Sequence, residues 1–388
     1  MLVDFSVENY GPFRDRVTLD MRATNLKGHS DNLIECGSIK ADLISSALIF
    51  GPNASGKSYL FDAMLSLKLM VEDAFPDDKK YPWYRPFKLD ERCKSSPVSF
   101  QIRLCEDGVL YDYSISFLSD RIVSESLVYY PLGRARTAFV RKGSNDEFRG
   151  KGRRLLSLLN QTTSYLALGS KYNDELCSKV RKSIRDLITL QSSDLGYLIF
   201  RSCRFVENDN GMRKMMIGGL QKADLGITDY EIVEQSIDSK DVKRILSAEE
   251  YEMFLSDGQE PVKRSGISVK HRYSRLFDDT GVEATFDMDS EESEGTRCMF
   301  GIMGPLVDSL VNGKTILIDE FGSHLHPLLT RWLVEQFSKR NNPRGAQLIA
   351  MTHDVGLIDT GELVRRDQVF FTDKNREDGS STLYCLSD

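Results

Sequence analysis

The chain has 388 residues, 40% hydrophobic and 28% charged, with only 11 prolines. That composition excludes a disordered or fibrous chain and allows two domains, or one large domain carrying an insertion. The 51 Lys and Arg against 58 Asp and Glu give a formal net charge of −7, which excludes a uniformly basic, histone-like binder and leaves a local basic patch open.

The opening MLVDFSVENYGPF alternates apolar and polar positions and turns at Gly11-Pro12; Val17, Leu19 and Met21 alternate again, which predicts a hairpin. With a carboxylate at Asp4 and no basic segment before an apolar core, a signal peptide is not expected. Leu43–Phe50 (LISSALIF) is an apolar run ending directly at Gly51 and predicts a buried strand. It is the longest apolar stretch and far below the ~20 residues that span a bilayer, so no membrane association is expected. Ser58–Val71 places Leu60, Met64, Leu65, Leu67 and Met70 at helical spacing, which completes a strand–loop–helix unit.

Residues 97–141 alternate in the manner of antiparallel strands, with a turn at Glu106-Asp-Gly108. From about Arg153 to Ser274 the pattern becomes mainly helical, over Leu155–Leu168, Asn173–Leu190, Met212–Ala223 and Asp241–Leu255, with strand-like pieces at Tyr230–Val233 and Ile267–Tyr273. Charge is uneven: Arg134–Arg154 holds eight basic residues against Asp146 and Glu147, whereas Phe277–Gly295 holds eight acidic residues and no basic one. The seven cysteines are odd in number and never closer than five positions apart. Reduced thiols in a cytoplasmic protein are the simplest account.

Four motifs carry chemistry. Gly51-Pro52-Asn53-Ala54-Ser55-Gly56-Lys57-Ser58 fits G-x-x-x-x-G-K-[ST] in the required strand–loop–helix context. Its backbone N–H groups and the helix N-terminus suit phosphate, with Lys57 reaching the β/γ-phosphates and Ser58 ligating Mg²⁺. Lys314–Glu320 (KTILIDE) is an apolar strand ending in two acids. Alone that is commonplace; beside the loop it suits a Walker B element, with Asp319 on Mg²⁺ and Glu320 polarising the attacking water. Gln347–Asp354 (QLIAMTHD) is another apolar strand, ending in His353, 34 positions after Asp319. A lone histidine is usually structural, but at this offset it looks like the switch histidine that senses the γ-phosphate. Ser293-Glu-Gly295-Thr296 opens a helix predicted over Met299–Val311 and offers a second phosphate-binding N-terminus. It resembles the signature motif of ABC-type ATPases, which would act on the nucleotide of a second copy and so require a two-fold dimer.

The order of these motifs, with FSVENYGPF (5–13), LIDEFGSHLHPLL (317–329) and THDVGLID (352–359), resembles the ABC/SMC/RecF class. More narrowly, the chain is similar to the prokaryotic OLD-like and RloA-like anti-phage ATPases. The resemblance implies an α/β, ABC-type P-loop NTPase with an antiparallel β subdomain and an inserted, mainly helical lobe. The expected divisions are 1–150 for the N-terminal part of the ATPase, 151–275 for the lobe and 276–388 for the C-terminal part. The resemblance also implies ATP and Mg²⁺ as cofactors and a D-loop containing Ser323, with His326 at the dimer seam. His324 and His326 also have the spacing of a metal pair.

The signature departs from the LSGGQ form of transporters, Gly322 stands where relatives often carry Asp, and the TOPRIM nuclease of true OLD proteins is not expected. The expected function is a cytoplasmic Mg²⁺-dependent ATPase. It would form a homodimer or higher even oligomer and switch a separate effector such as a nuclease or toxin. The alternative is a RecF/SMC-like DNA-binding ATPase of DNA repair or chromosome maintenance, with Arg134–Arg154 as the nucleic-acid contact. An ABC-transporter subunit fits poorly, because the span from Ser58 to Ser293 exceeds what such a subunit needs.

Overall fold

The computed structural model describes the chain except residues 38, 73–80, 144–147, 151, 192–194, 224, 237–262, 276–277 and 360. The first elements are β1 (Leu2–Glu8), β2 (Val17–Asp20), β3 (Leu33–Ile34), β4 (Leu43–Ile44), β5 (Ser46–Phe50), α1 (Lys57–Glu72) and the one-turn α2 (Glu91–Lys94). Then come β6 (Val98–Glu106), β7 (Val109–Phe117), β8 (Ile122–Tyr130), β9 (Arg136–Lys142), β10 (Arg149–Gly150), α3 (Tyr165–Lys171), α4 (Glu175–Arg185) and β11 (Ile188–Gln191). The chain continues through α5 (Leu195–Val206), α6 (Asn210–Lys222), β12 (Ile227–Ser236), β13 (Lys263–Arg275), β14 (Asp278–Asp287) and α7 (Glu294–Asn312). It closes with β15 (Thr315–Asp319), α8 (Pro327–Glu335), β16 (Gln347–Met351), β17 (Val369–Lys374) and β18 (Ser381–Cys385). These elements form two compact units, Met1–Ser193 with Asp308–Asp388, and Asp194–Val307.

The first unit holds a six-stranded sheet, ordered β11-β15-β16-β5-β17-β18, and a seven-stranded antiparallel sheet, ordered β10-β9-β8-β7-β6-β1-β2. In the six-stranded sheet the pairs from β11 to β17 are parallel and only β18 runs the other way. Every residue of β5, β15 and β16 is buried. That is why these strands read as unbroken apolar runs, whereas β6 and β7 alternate. One core joins Leu60, Phe61, Met64 and Leu67 of α1 to Phe5, Phe100 and Phe117 of the antiparallel sheet and to Ile49, Leu317 and Met351 of the parallel one. A helix packed on both sides carries apolar residues nearly all round.

Gln347 ties the two sheets together. Its Oε1 accepts from the Leu2 N–H at 2.6 Å, and its Nε2 donates to the Leu2 carbonyl at 3.0 Å. The same Oε1 takes the Thr315 hydroxyl at 3.1 Å.

Residues 153–191 depart from the two long helices expected there. A 3₁₀ stretch, Arg153–Leu158, stops before Asn160, whose side chain accepts from the Thr162 N–H at 3.1 Å and from the Thr162 hydroxyl at 3.2 Å. Such local bonds compete with helix. Ser164 then caps α3, accepting from the Ala167 N–H. The last expected turn is instead β11, an extra parallel neighbour of β15. Leu166, Leu168, Val180 and Ile184 share the core of α1, so this region belongs to the first unit. The second unit therefore begins at Asp194, later than the expected 151, and ends at Val307 rather than 275.

In the second unit, α5 and α6 accompany an antiparallel sheet ordered β12-β13-β14. Ser202 of α5 donates to the Phe300 carbonyl at 2.6 Å and accepts from the Gly304 N–H at 2.8 Å. Part of the acidic run forms β14. The helix expected over Asp241–Leu255 lies outside the described residues.

Candidate nucleotide site

β5 delivers the 51–58 loop to the middle of the parallel sheet. Gly51 has φ +154°, and a Cβ there would lie 2.4 Å from Thr372 Oγ1. Gly56 has φ +115°, and its Cβ would lie 2.9 Å from Phe13 Cζ. Both positions therefore require glycine on conformation and on space. The Ser55 and Thr372 hydroxyls are hydrogen-bonded at 2.6 Å, which anchors the loop to β17. Pro52, Asn53 and Ala54 are exposed at the loop crest, and Ala54 is itself left-handed at φ +61°.

Lys57 opens α1 and is buried. Its ammonium donates to the carbonyls of Gly51 at 2.7 Å and Pro52 at 3.1 Å. Burial lowers the lysine pKa, and the charge of Asp319 opposes that shift. Ser58, the second residue of α1, is exposed.

β16 lies between the strand that feeds the loop and the strand that ends at Asp319. The three C-terminal ends are stitched together: the Phe321 N–H donates to the Met351 carbonyl at 2.8 Å, and the Thr352 N–H to the Ile49 carbonyl at 3.0 Å. The Thr352 hydroxyl donates to the Phe321 carbonyl at 2.8 Å. Asp319 is buried at the tip of β15 and accepts from the Glu320 N–H at 3.1 Å. Glu320 is exposed and left-handed at φ +56°. Its carbonyl accepts from the Ser323 N–H at 3.1 Å and from the Ser323 hydroxyl at 2.8 Å. The D-loop candidate thus closes a tight turn after the two acids. His353 follows β16 at the same sheet edge and is exposed.

Ser293 lies in the second unit, at the N-terminus of α7. Its Oγ accepts from the Thr296 N–H at 3.1 Å and is bonded to the Thr296 hydroxyl at 2.8 Å, and Gly295 sits between them in the first turn. This is an N-cap, so both side chains have a structural duty whatever else they do. His326 is also a cap: its Nδ1 accepts from the Leu328 N–H at 3.3 Å at the start of α8. Among the described residues no group of three or more His, Cys, Asp or Glu is placed to hold a metal ion. Ser58, at the second position of α1, and Asp319, at the tip of β15, each offer an oxygen donor, and together they would make a sparse donor set. That suits Mg²⁺, which keeps several of its waters and takes few protein ligands.

Residues 46–359 match the family described as "AAA domain, putative AbiEii toxin, Type IV TA system". The chain belongs to this family. Membership and the loop place it among the P-loop ATPases, here with a mainly parallel sheet, an antiparallel sheet and a second compact unit. No match was found among curated proteins.

Solved structures that resemble this AAA-domain protein include the SMC head domain from Thermotoga maritima, with TM-score 0.44, 11% identity, and coverage of 99% of this chain and 98% of that one. A second is an SMC head bound to the C-winged helix domain of ScpA, with TM-score 0.48, 10% identity, and 99% and 97% coverage. A third is an SMC head with an extended coiled coil bound to the C-terminal domain of ScpA, derived from Pyrococcus furiosus, with TM-score 0.39, 11% identity, and 99% and 96% coverage.

Several residues around the ATPase loop carry no motif. Asp62 on α1 pairs with Arg85 at 2.9 Å. Its pKa is raised, first by burial and further by the negative Asp319, while Arg85 pulls it down. Thr372 and Phe13 are distant in sequence from the loop they pack against, and only the YGPF turn hinted at one of them. The basic stretch does not form a single solvent face. Arg141 is buried, 3.6 Å from Glu125, whereas Arg134, Arg136, Lys142, Arg149, Arg153 and Arg154 are exposed. Among the described residues no helix is long and apolar enough to cross a membrane.

Proposed function

We propose that this protein is a Mg²⁺-dependent ATPase of the OLD-like/RloA-like kind that closes as a nucleotide-sandwich dimer and switches a separate effector in anti-phage or abortive-infection defence. The supporting observation is the stitching of three strand ends, which sets the 51–58 loop, Asp319 and Glu320, and His353 along one edge of a buried parallel sheet. Lys57 holds the β/γ-phosphates, while Ser58 and Asp319 hold Mg²⁺. The metal, when bound, neutralises charge on the phosphates. Glu320 orients and polarises the attacking water, and His353 contacts the γ-phosphate.

The capped N-terminus of α7, with Ser293, Gly295 and Thr296, belongs in this scheme to the nucleotide of a second copy, with Ser323 near the seam. ATP favours the closed dimer only because it binds that state better. The family description, with its AbiEii toxin and toxin–antitoxin system, supports an output in defence. The exposed Arg149, Arg153 and Arg154 offer a nucleic-acid contact for either the protein or its effector complex.

The deciding experiment follows mass in solution with ATP and Mg²⁺. The native chain hydrolyses ATP, and Glu320→Gln accumulates as a nucleotide-bound dimer. Absence of turnover in the native chain, or a Glu320→Gln variant that stays monomeric with ATP, overturns the scheme.

A further inference from the structure

The N-terminus of α7 is set in an unfavourable place for binding phosphate. Asp287, Asp289, Glu291 and Glu292 precede the Ser293 cap and Glu294 follows it, and carboxylates close to a helix N-terminus compete with any anion for its positive end. Asp287, Asp289, Glu291 and Glu292 each have a partner that can be named. Asp287 accepts from the N–H of Asp289 at 3.2 Å and of Ser290 at 2.9 Å. Glu291 reaches back to the Asp287 N–H at 2.6 Å. Asp289 pairs with Arg297, in the first turn of α7, at 3.2 Å.

The fourth engagement is different because it is buried and non-local. Glu292 Oε1 lies 2.6 Å from His271 Nε2, with the two side chains 9% and 5% exposed. His271 sits on β13, the central strand of the three-stranded sheet, opposite Ile227 of β12 and Ala284 of β14. Its ring meets Phe286 edge-on at 5.0 Å. The backbone of His271 is thus held between two strands, and its ring contacts Phe286 and Glu292, the residue immediately before the Ser293 cap.

We propose that His271 is a positioning residue: by gripping Glu292 it fixes the Ser293 turn and keeps that carboxylate from the end of α7 that receives a second copy's nucleotide. This rests on the sandwich-dimer reading and adds to it a residue that no motif marks. A misplacement of about 1 Å at such a site costs on the order of a hundred-fold in rate, so loss of the grip is expected mainly in kcat.

The test uses the full chain and measures ATP turnover, binding of a fluorescent ATP analogue by the monomer, and thermal unfolding. His271→Ala is expected to leave analogue binding unchanged, because the 51–58 loop belongs to the other unit, and to lower kcat on the order of ten- to a hundred-fold. His271→Gln, whose amide N–H can still bond Glu292, is expected to restore much of that loss. If His271→Ala does not fold, Glu292→Ala breaks the same pair from its loop end and is read in the same way. Full turnover in both Ala variants overturns the positioning role, and so does failure of His271→Gln to rescue a folded His271→Ala. Ser293→Ala separates the two layers: if it retains full turnover, the dimer reading beneath the proposal is the one that fails.

Discussion

Lys57 carries its charge into a buried site, where two loop carbonyls and the field of Asp319 only partly replace water. A lowered lysine pKa means that the folded chain binds this proton less tightly than the unfolded chain does. The charge therefore works against folding at neutral pH, and the penalty is relieved as pH rises through the lowered value toward 10.5. Lys57→Met is accordingly expected to raise the melting temperature of the nucleotide-free protein while abolishing ATP turnover, measurable by calorimetry and a phosphate-release assay. A variant that melts lower than the parent would contradict the sign. The loop residues were legible because G-x-x-x-x-G-K-S is contiguous and its chemistry is local. Thr372, which lies against Gly51 and Ser55, was not legible, because only the fold brings β17 to the loop.

Elements show the same division. α3 begins where Glu125 of β8 waits for it: the carboxylate accepts from the N–H groups of Tyr165 at 2.7 Å and Leu166 at 2.9 Å, and from the Ser164 and Tyr113 hydroxyls, both at 2.9 Å. Arg141, donating to the Thr163 carbonyl at 2.8 Å, supplies the buried counter-charge. Glu125→Gln leaves that arginine buried without its ion and is expected to lower unfolding stability by roughly 3 kcal/mol, read from denaturant midpoints. Adding Arg141→Met is expected to recover part of the loss, because the two sites are coupled. Arg141 sits in the stretch whose composition suggested a basic face, and its burial was hidden because charge counts carry no information about pairing across strands. β5, β15 and β16 were readable because strands covered on both faces must be apolar throughout. β11 was not, since Ile188–Gln191 follows α4 so closely that its residues continue an apparent helical period.

At the scale of the molecule, the parallel sheet is assembled from the two ends of the chain. Both neighbours of β5 are C-terminal: β16 on one side and β17 on the other. A fragment of residues 1–193 holds the phosphate loop but exposes both edges of its strand and half the core around α1. It is expected to show no cooperative thermal transition and no binding of a fluorescent nucleotide, where the whole chain shows both. The division between an early and a late half of one ATPase was visible in motif order. The limits of the insertion were not, because α3, α4 and β11 are amphipathic or apolar enough to suit either unit.

The hydroxyl bond between Ser55 and Thr372 also has a meaning in time. A ribosome makes the phosphate loop early and the strand that anchors it more than three hundred residues later. Throughout that interval the loop lacks its brace and β5 lacks both flanking strands. An ordered phosphate loop is thus expected only after β16 and β17 have been made and have docked on either side of β5.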